Sequence, residues 1–448
     1  MPTPDELLAR AEKPTAESLR LHPFYRGKVQ IMPKCPIRGP EDWSVWYTPG
    51  VAAPCKAIVE HPEQVYEYTN KGNTIAVVSD GTRVLGLGNI GPEAGLPVME
   101  GKALLFKYLG GVDAVPLCIR TSSEDEIVQV VKAIEPSFGG INLEDLAQPK
   151  CFRILDRLRQ EMRIPVWHDD QQGSATVLLA ALLNALKIVD KRIGSIKIAM
   201  IGIGAANVAT YRLLKQAGIT PALVIACDSK GTLHDGRADL QGMQGEFRDK
   251  WRVCVETNGD RVTGGIAEAL RGADVCIAFS QSGPGVIEPG WIRAMARDAV
   301  VFACANPIPE IWPWEAQEAG ARIVATGRSD FPNQVNNCLV FPGIFRGVLD
   351  VRARSITDGM AMAAAQELAA CSERLGLRED RILANLADEH VTARVATATA
   401  MAAQQQGVAG LSISADEVYR RACAAIRSAQ AAALALCREG FIPAPPPP

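Results

Sequence analysis

The chain lacks any Cys-x-x-Cys pair: its twelve cysteines are scattered over 448 residues. Several (Cys118, Cys227, Cys276, Cys304) stand in apolar, strand-like runs, where a reduced thiol packs as a small hydrophobe. No disulfide framework is expected, and this cysteine usage fits a reducing, cytoplasmic compartment. An excess of charge is missing too. Lys plus Arg number 47 against 50 Asp plus Glu, a balance of -3, which argues against nucleic acid as a partner because phosphate binding needs clustered cations. The longest apolar stretch, from Ala175 to about Leu186, falls short of the roughly 20 residues that a bilayer requires. The opening MPTPDELLARAEKP carries acidic residues and no apolar core, so neither a signal peptide nor a membrane partner is expected. What is present is ordinary for packed protein: 48% hydrophobic and 22% charged residues. Length alone suggests two or three domains at about 150 residues each.

The first 50 residues are rich in proline and show little periodicity, and a helix-like stretch follows near 54–68. A strand–helix rhythm then begins. Strands are predicted at 75–79, 114–119, 140–143 and 164–167, with helices at about 96–109, 124–134 and 150–162. After a long helix at about 175–189 the rhythm restarts, with strands at 196–201, 223–227, 275–279, 300–304 and 322–325. Such alternation implies parallel strands joined by helical crossovers. Ala-rich helices are predicted from 358 to about 438, followed by a Pro-rich tail expected to be disordered. The reading is therefore α/β with two domains: residues 1–167 for substrate and catalysis, residues 168–438 for a dinucleotide-binding unit with C-terminal helices, and a tail at 439–448.

The strand at 196–201 runs straight into Gly202-Ile203-Gly204-Ala205-Ala206-Asn207 and a helix. The first glycine permits a tight turn and the second lets backbone approach a pyrophosphate at the helix N-terminus. Asn207 occupies the position where Gly or Ala is usual. A second strand ends at Asp228, 24 positions after Gly204, where a carboxylate can accept from a ribose hydroxyl. Ser229 and Lys230 follow at once and could receive a 2′-phosphate, so NAD and NADP both remain open. Loops beginning at Ser280 and at Ala305-Asn306-Pro307 follow later strands and would line the nicotinamide half of the crevice.

In the first domain, Glu144-Asp145 and Asp169-Asp170 each lie just beyond a predicted strand. If those strands are parallel neighbours, four carboxylates share one sheet edge. Such crowding is costly unless a cation compensates, and oxygen ligands with open positions suit Mg²⁺ or Mn²⁺. Helix capping is the plainer use of a single Asp at such a place. Lys102, desolvated near a divalent cation, would have its pKa pushed below the free value of about 10.4 and could serve as a base. Tyr47 sits in a loop held by Pro49 and Gly50, and Arg83 could clamp a carboxylate. His168 reads as structural, since hard ions seldom recruit imidazole.

Taken together, Tyr47-Thr48-Pro49-Gly50-Val51, Ser79–Gly88, Gly91–Lys102, Asn142–Asp145, Trp167–Ala175, Ile201–Asn207, Cys227–Gly231, Ala305–Pro307 and Asn336–Gly343 resemble the malic enzymes in their short bacterial form. The resemblance runs from about residue 40 to 365. It implies a Rossmann-type doubly wound domain behind an N-terminal catalytic domain, and oxidative decarboxylation of malate to pyruvate and CO₂ with NAD or NADP and Mg²⁺ or Mn²⁺. It also implies Lys102 as general base, Tyr47 as general acid, and Glu144, Asp145 and Asp170 as metal ligands with Asp169 tuning their charge. Arg83, Asn306, Asn336 and Asn337 would contact substrate. Gly202, Gly204, Ala205, Ala206, Asn207, Asp228, Ser229, Lys230, Ser280 and Asn306 would contact the dinucleotide. A homodimer or larger homo-oligomer is implied as well. A dehydrogenase for another hydroxy or amino acid would explain two domains but not the acidic cluster, and a dinucleotide-sensing module would explain neither Lys102 nor Tyr47.

Overall fold

A computed structural model describes residues 4–386, 388 and 390–447. Two separate sheets organise the chain. The first has four strands, β1 (Thr74–Ser79), β2 (Asp113–Cys118), β3 (Gly140–Leu143) and β4 (Val166–His168), in the order β2-β1-β3-β4. All are parallel, and the register pairs Leu143 of β3 with His168 of β4. β1, β3 and β4 are buried on both faces, as expected of apolar runs covered by helices, whereas the edge strand β2 is half-buried.

The second sheet contains β5 (Ile198–Ile201), β6 (Val224–Asp228), β7 (Gly231–Thr232), β8 (Val275–Ala278), β9 (Val300–Ala303) and β10 (Ile323–Thr326), ordered β10-β9-β8-β5-β6-β7. Only the two-residue β7 runs antiparallel. The chain winds outward in both directions from β5, so the loops leaving β5, β8 and β9 emerge together at one edge, where α/β sheets bind ligands.

The helices follow from local chemistry. A 22-residue helix, α1 (Pro4–Tyr25), occupies the region where prolines argued against regular structure, with Pro14 and Pro23 inside it. The long α2 (Gly91–Gly110) carries Lys102. Ser123 caps α3 (Glu124–Ile134), and three acidic residues in its first turn complement the helix dipole. Ile127, Val128 and Val131 form its buried stripe. Next come α4 (Lys150–Glu161), α5 (Ser174–Ile188), which is buried on almost every side, and α6 (Ala205–Gln216).

The closing helices are α7 (Phe341–Asp350), α8 (Asp358–Arg374), α9 (Val391–Gln405) and α10 (Ala415–Arg438). They do not simply extend the second sheet. While α8 packs on α5, α7 and α10 pack on α2 of the first, and Phe106 meets the rings of Phe341 and Phe345 at 4.6 and 5.1 Å. One core therefore runs through both halves. The Pro-rich end forms no helix or strand, yet it lies against α1: Tyr25 donates to the Pro443 carbonyl at 2.9 Å and Arg20 to that of Pro446 at 2.5 Å. Among the described residues no helix is long and apolar enough to cross a membrane, and all twelve cysteines are unpaired.

Candidate active site

Because β3 and β4 are neighbours in register, the two acidic pairs leave the sheet side by side. Ligand oxygens of Glu144, Asp145 and Asp170 lie within 4.8 Å of one another. Asp145 adopts a left-handed backbone, φ 56°, and its N–H donates to Asp170 Oδ2 at 2.8 Å, which ties the corners together. After His168 the chain makes one wide π-type helical turn, Asp169–Gly173, a local widening that recurs at functional sites.

Lys102 reaches into this cluster from α2. Its Nζ stands 2.6 Å from Asp169 Oδ2 and 2.9 Å from Glu144 Oε1, and 4.3 Å from the centre of the Phe341 ring. Asp169 is held in turn by Trp167 Nε1 at 3.0 Å, and Glu144 accepts from Asn142 at 2.8 Å. Burial alone would lower the Lys102 pKa, but Asp169 and Glu144 override it and hold the ammonium well above its usual range. The lowered value expected from the sequence belongs to a lysine beside a divalent cation; without the cation, the two carboxylates that touch the amine raise it.

The carboxylates show the opposite imbalance. Burial, then repulsion from Asp170, pushes Asp145 up to about 8. Glu144 is raised by burial and by its acidic neighbours, against the pull of Lys102. One ammonium faces four carboxylates, and Asp145 Oδ2 is a buried oxygen with no donor. Three hard oxygen donors, a surplus of negative charge and an orphaned acceptor fit a divalent cation such as Mg²⁺ or Mn²⁺. His168 is fully buried beside the cluster, its Nδ1 3.6 Å from Asp170, and burial pushes its pKa down.

The cluster opens into a cavity of about 850 Å³ between the two sheets. Lys102, Glu144, Asp145 and Asp170 line it, as do Arg83, Asn306, Asn336 and Asn337. Gly202, Gly204, Ala205, Ala206, Asp228, Ser229 and Ser280 line it too. Gly202 has φ 82°, and a Cβ there would meet the Phe279 carbonyl at 2.6 Å, so only glycine fits this turn.

Three expected residues stand elsewhere. Asn207 is wholly buried and does not line the cavity. Its amide donates to the carbonyls of Gly202 at 2.7 Å and Ile201 at 3.1 Å, bracing the turn from beneath. Lys230 points outward and pairs with Asp239 at 3.3 Å. Tyr47 is 69% exposed, at the end of the short Pro40–Trp46 helix and outside the cavity lining. Two residues were missed. Arg237 and Lys250 close on Asp228, Lys250 at 2.6 Å and Arg237 through both of its terminal nitrogens at 3.1 and 3.2 Å. Their contact is purely tertiary, and no local sequence signal marks it.

Comparison with known proteins decides the family. The malic enzyme N-terminal domain matches residues 26–125 and 120–159, and the malic enzyme NAD-binding domain matches residues 171–404. The chain belongs to the malic enzyme family. The bifunctional malic/malolactic enzyme of Bacillus subtilis is 49% identical over 405 residues, covering 90% of this chain and 97% of that protein. The NAD-dependent malic enzyme of Geobacillus stearothermophilus is 49% identical over 86% of this chain and 78% of its own length. The crystal structure of Entamoeba histolytica malic enzyme superposes with a TM-score of 0.96 at 46% identity, covering 99% of this chain and 93% of that one. Relatives named as NAD-dependent and as NADP-dependent both match this malic enzyme family member.

Proposed function

We propose that this chain oxidatively decarboxylates malate to pyruvate and CO₂ with NAD or NADP as acceptor, in a cytoplasmic setting. The observation that carries the reading is the single cavity in which Lys102 and the Glu144, Asp145 and Asp170 oxygens face the Gly202–Ala206 turn. When bound, a divalent cation supplies Lewis-acid charge for a malate oxygen, and the dinucleotide supplies the hydride acceptor. Glu144, Asp145 and Asp170 are the residues that would hold the cation.

Lys102, its amine fixed by Asp169 and Glu144, is assigned the C2-hydroxyl proton, as a base only where a bound cation offsets the carboxylates that otherwise hold it as an ammonium. Arg83, Asn336 and Asn337 are assigned to the malate carboxylates and Asn306 to both substrate and cofactor, since all line the cavity that Lys102 and the acidic cluster line. Oxaloacetate, the oxidised intermediate, should be decarboxylated as a partial reaction at this site.

Asp228 bears on the choice of dinucleotide. Its oxygens accept from Lys230 N–H, from Arg237 twice and from Lys250, so little acceptor capacity is left for a ribose hydroxyl. The flanking cations favour an NADP 2′-phosphate at Ser229 and Lys250, with NAD as the poorer cofactor.

Tyr47 can act as general acid only where an assembly brings it to a cavity. The segment around it exposes Ile31, Trp43, Val45 and Trp46, a concentration of apolar surface that supports self-association. The deciding experiment follows reduced cofactor and CO₂ from malate, with each dinucleotide, with and without Mn²⁺. Absence of malate-dependent reduction under all four conditions would overturn the reading.

A further inference from the structure

A buried carboxylate outside the proposed chemistry ties together two walls of the cavity. Glu310 is 0% exposed. Its Oε1 accepts from the Ser280 N–H at 2.8 Å and from the Ser280 hydroxyl at 3.0 Å, and its Oε2 accepts from the Ala305 N–H at 3.0 Å. Ser280 begins the loop after β8 and Ala305 lies in the loop after β9. Both residues line the cavity, whereas Glu310 does not. A second tie joins the same loops: Ser282 Oγ accepts from the Ile308 N–H at 3.1 Å and meets its carbonyl at 3.1 Å. Burial raises the Glu310 pKa, and the N–H donors of Ala305 and Ser280 oppose that rise.

We propose that Glu310 is a positioning residue that sets the separation of the two loops, so that Ser280 and Asn306 present themselves to the reactive end of the dinucleotide together. This rests on the reading that the cavity holds the nicotinamide against these loops. A carboxylate suits the task because each oxygen accepts from a different loop. In Glu310→Gln one of these acceptors becomes an NH₂ facing an N–H, and one wall loses its anchor. Glu310→Asp keeps both acceptors on a shorter arm.

The test uses the full chain. Measured quantities are kcat, the dissociation constant of each dinucleotide from intrinsic fluorescence without malate, and hydrogen exchange across residues 279–308. Misplacing the reacting ring by about 1 Å costs on the order of 100-fold, so kcat of Glu310→Gln should fall ~10- to 100-fold. Dinucleotide affinity should change by less than about threefold, because the Gly202–Ala206 turn, Ser229 and Lys250 hold the other half independently. Both loops should exchange faster together while β8 and β9 stay protected, and Glu310→Asp should recover part of kcat.

A wild-type kcat in Glu310→Gln would overturn the proposal. So would equal losses of kcat and affinity with β8 and β9 deprotected, which would mark simple support of the fold. Should Glu310→Gln fail to fold, Glu310→Asp decides: a kcat loss of about fivefold or more with affinity held supports the tie, and a wild-type kcat overturns it. A wild-type protein that reduced neither dinucleotide with malate would refute the reaction rather than the tie, which hydrogen exchange would still decide.

Discussion

Lys102 Nζ lies 2.6 Å from Asp169 Oδ2, and both side chains are shut away from solvent. Removing one member of such a pair leaves its partner charged and buried, at a cost of about 3–5 kcal/mol. Lys102→Ala should therefore do two things: lower the melting temperature and reduce kcat by roughly 10²- to 10⁴-fold, the range of general acid–base catalysis. Thermal denaturation and malate-dependent cofactor reduction measure the two effects. A stable variant with wild-type turnover would remove Lys102 from the chemistry.

The acidic cluster makes an opposed pair of predictions. Asp145→Asn relieves repulsion among buried carboxylates and should raise the melting temperature of the metal-free protein. The same change removes an oxygen ligand, so Mn²⁺ should stabilise the variant less than it stabilises the wild type. Melting curves with and without Mn²⁺ check both signs, and undiminished malate oxidation by the wild type in excess chelator would contradict metal dependence.

Lys250 offers a test of dinucleotide choice. Lys250→Met removes a cation and one of the two donors on Asp228 Oδ2, leaving Arg237 in place. The ratio of kcat/KM for NADP over that for NAD should fall about 10-fold or more, the loss of one charge-assisted contact. An unchanged ratio would show that Lys250 does not face the ribose.

Asn207 should prove structural in a specific way. Asn207→Ala strips the Gly202 and Ile201 carbonyls of a donor, at about 1–3 kcal/mol. The turn loosens, and the KM for the dinucleotide should rise more than the KM for malate. Equal changes in both would argue that Asn207 does not govern the turn.

Much of this architecture was legible locally. Glu124–Ile134 and Gly140–Leu143 lie where patterning placed them, because amphipathic spacing and β-branched runs are local signals. The convergence of Glu144, Asp145 and Asp170 was conditional on β3 and β4 being neighbours, and their register fulfils that condition. Other features depend on distant partners. Prolines hid α1, since each argues locally against a helix interior. Direct contact of Lys102 with Asp169 and Glu144, which raises its pKa in the metal-free site, had no local signal. Arg237 and Lys250 meet Asp228, and Glu310 meets Ser280, only once the chain is folded. Asn207 was assigned to the ligand because its place in the motif was visible and its burial was not.

The ring of Phe341 against the Lys102 amine begins the run of closing helices that seats itself on α2. The last quarter of the chain is thus no appendage that could be trimmed without consequence. Cutting it away would strip the Phe341 ring from the Lys102 amine and unseat the helix that delivers it, so the C-terminal residues back the acidic cluster from behind.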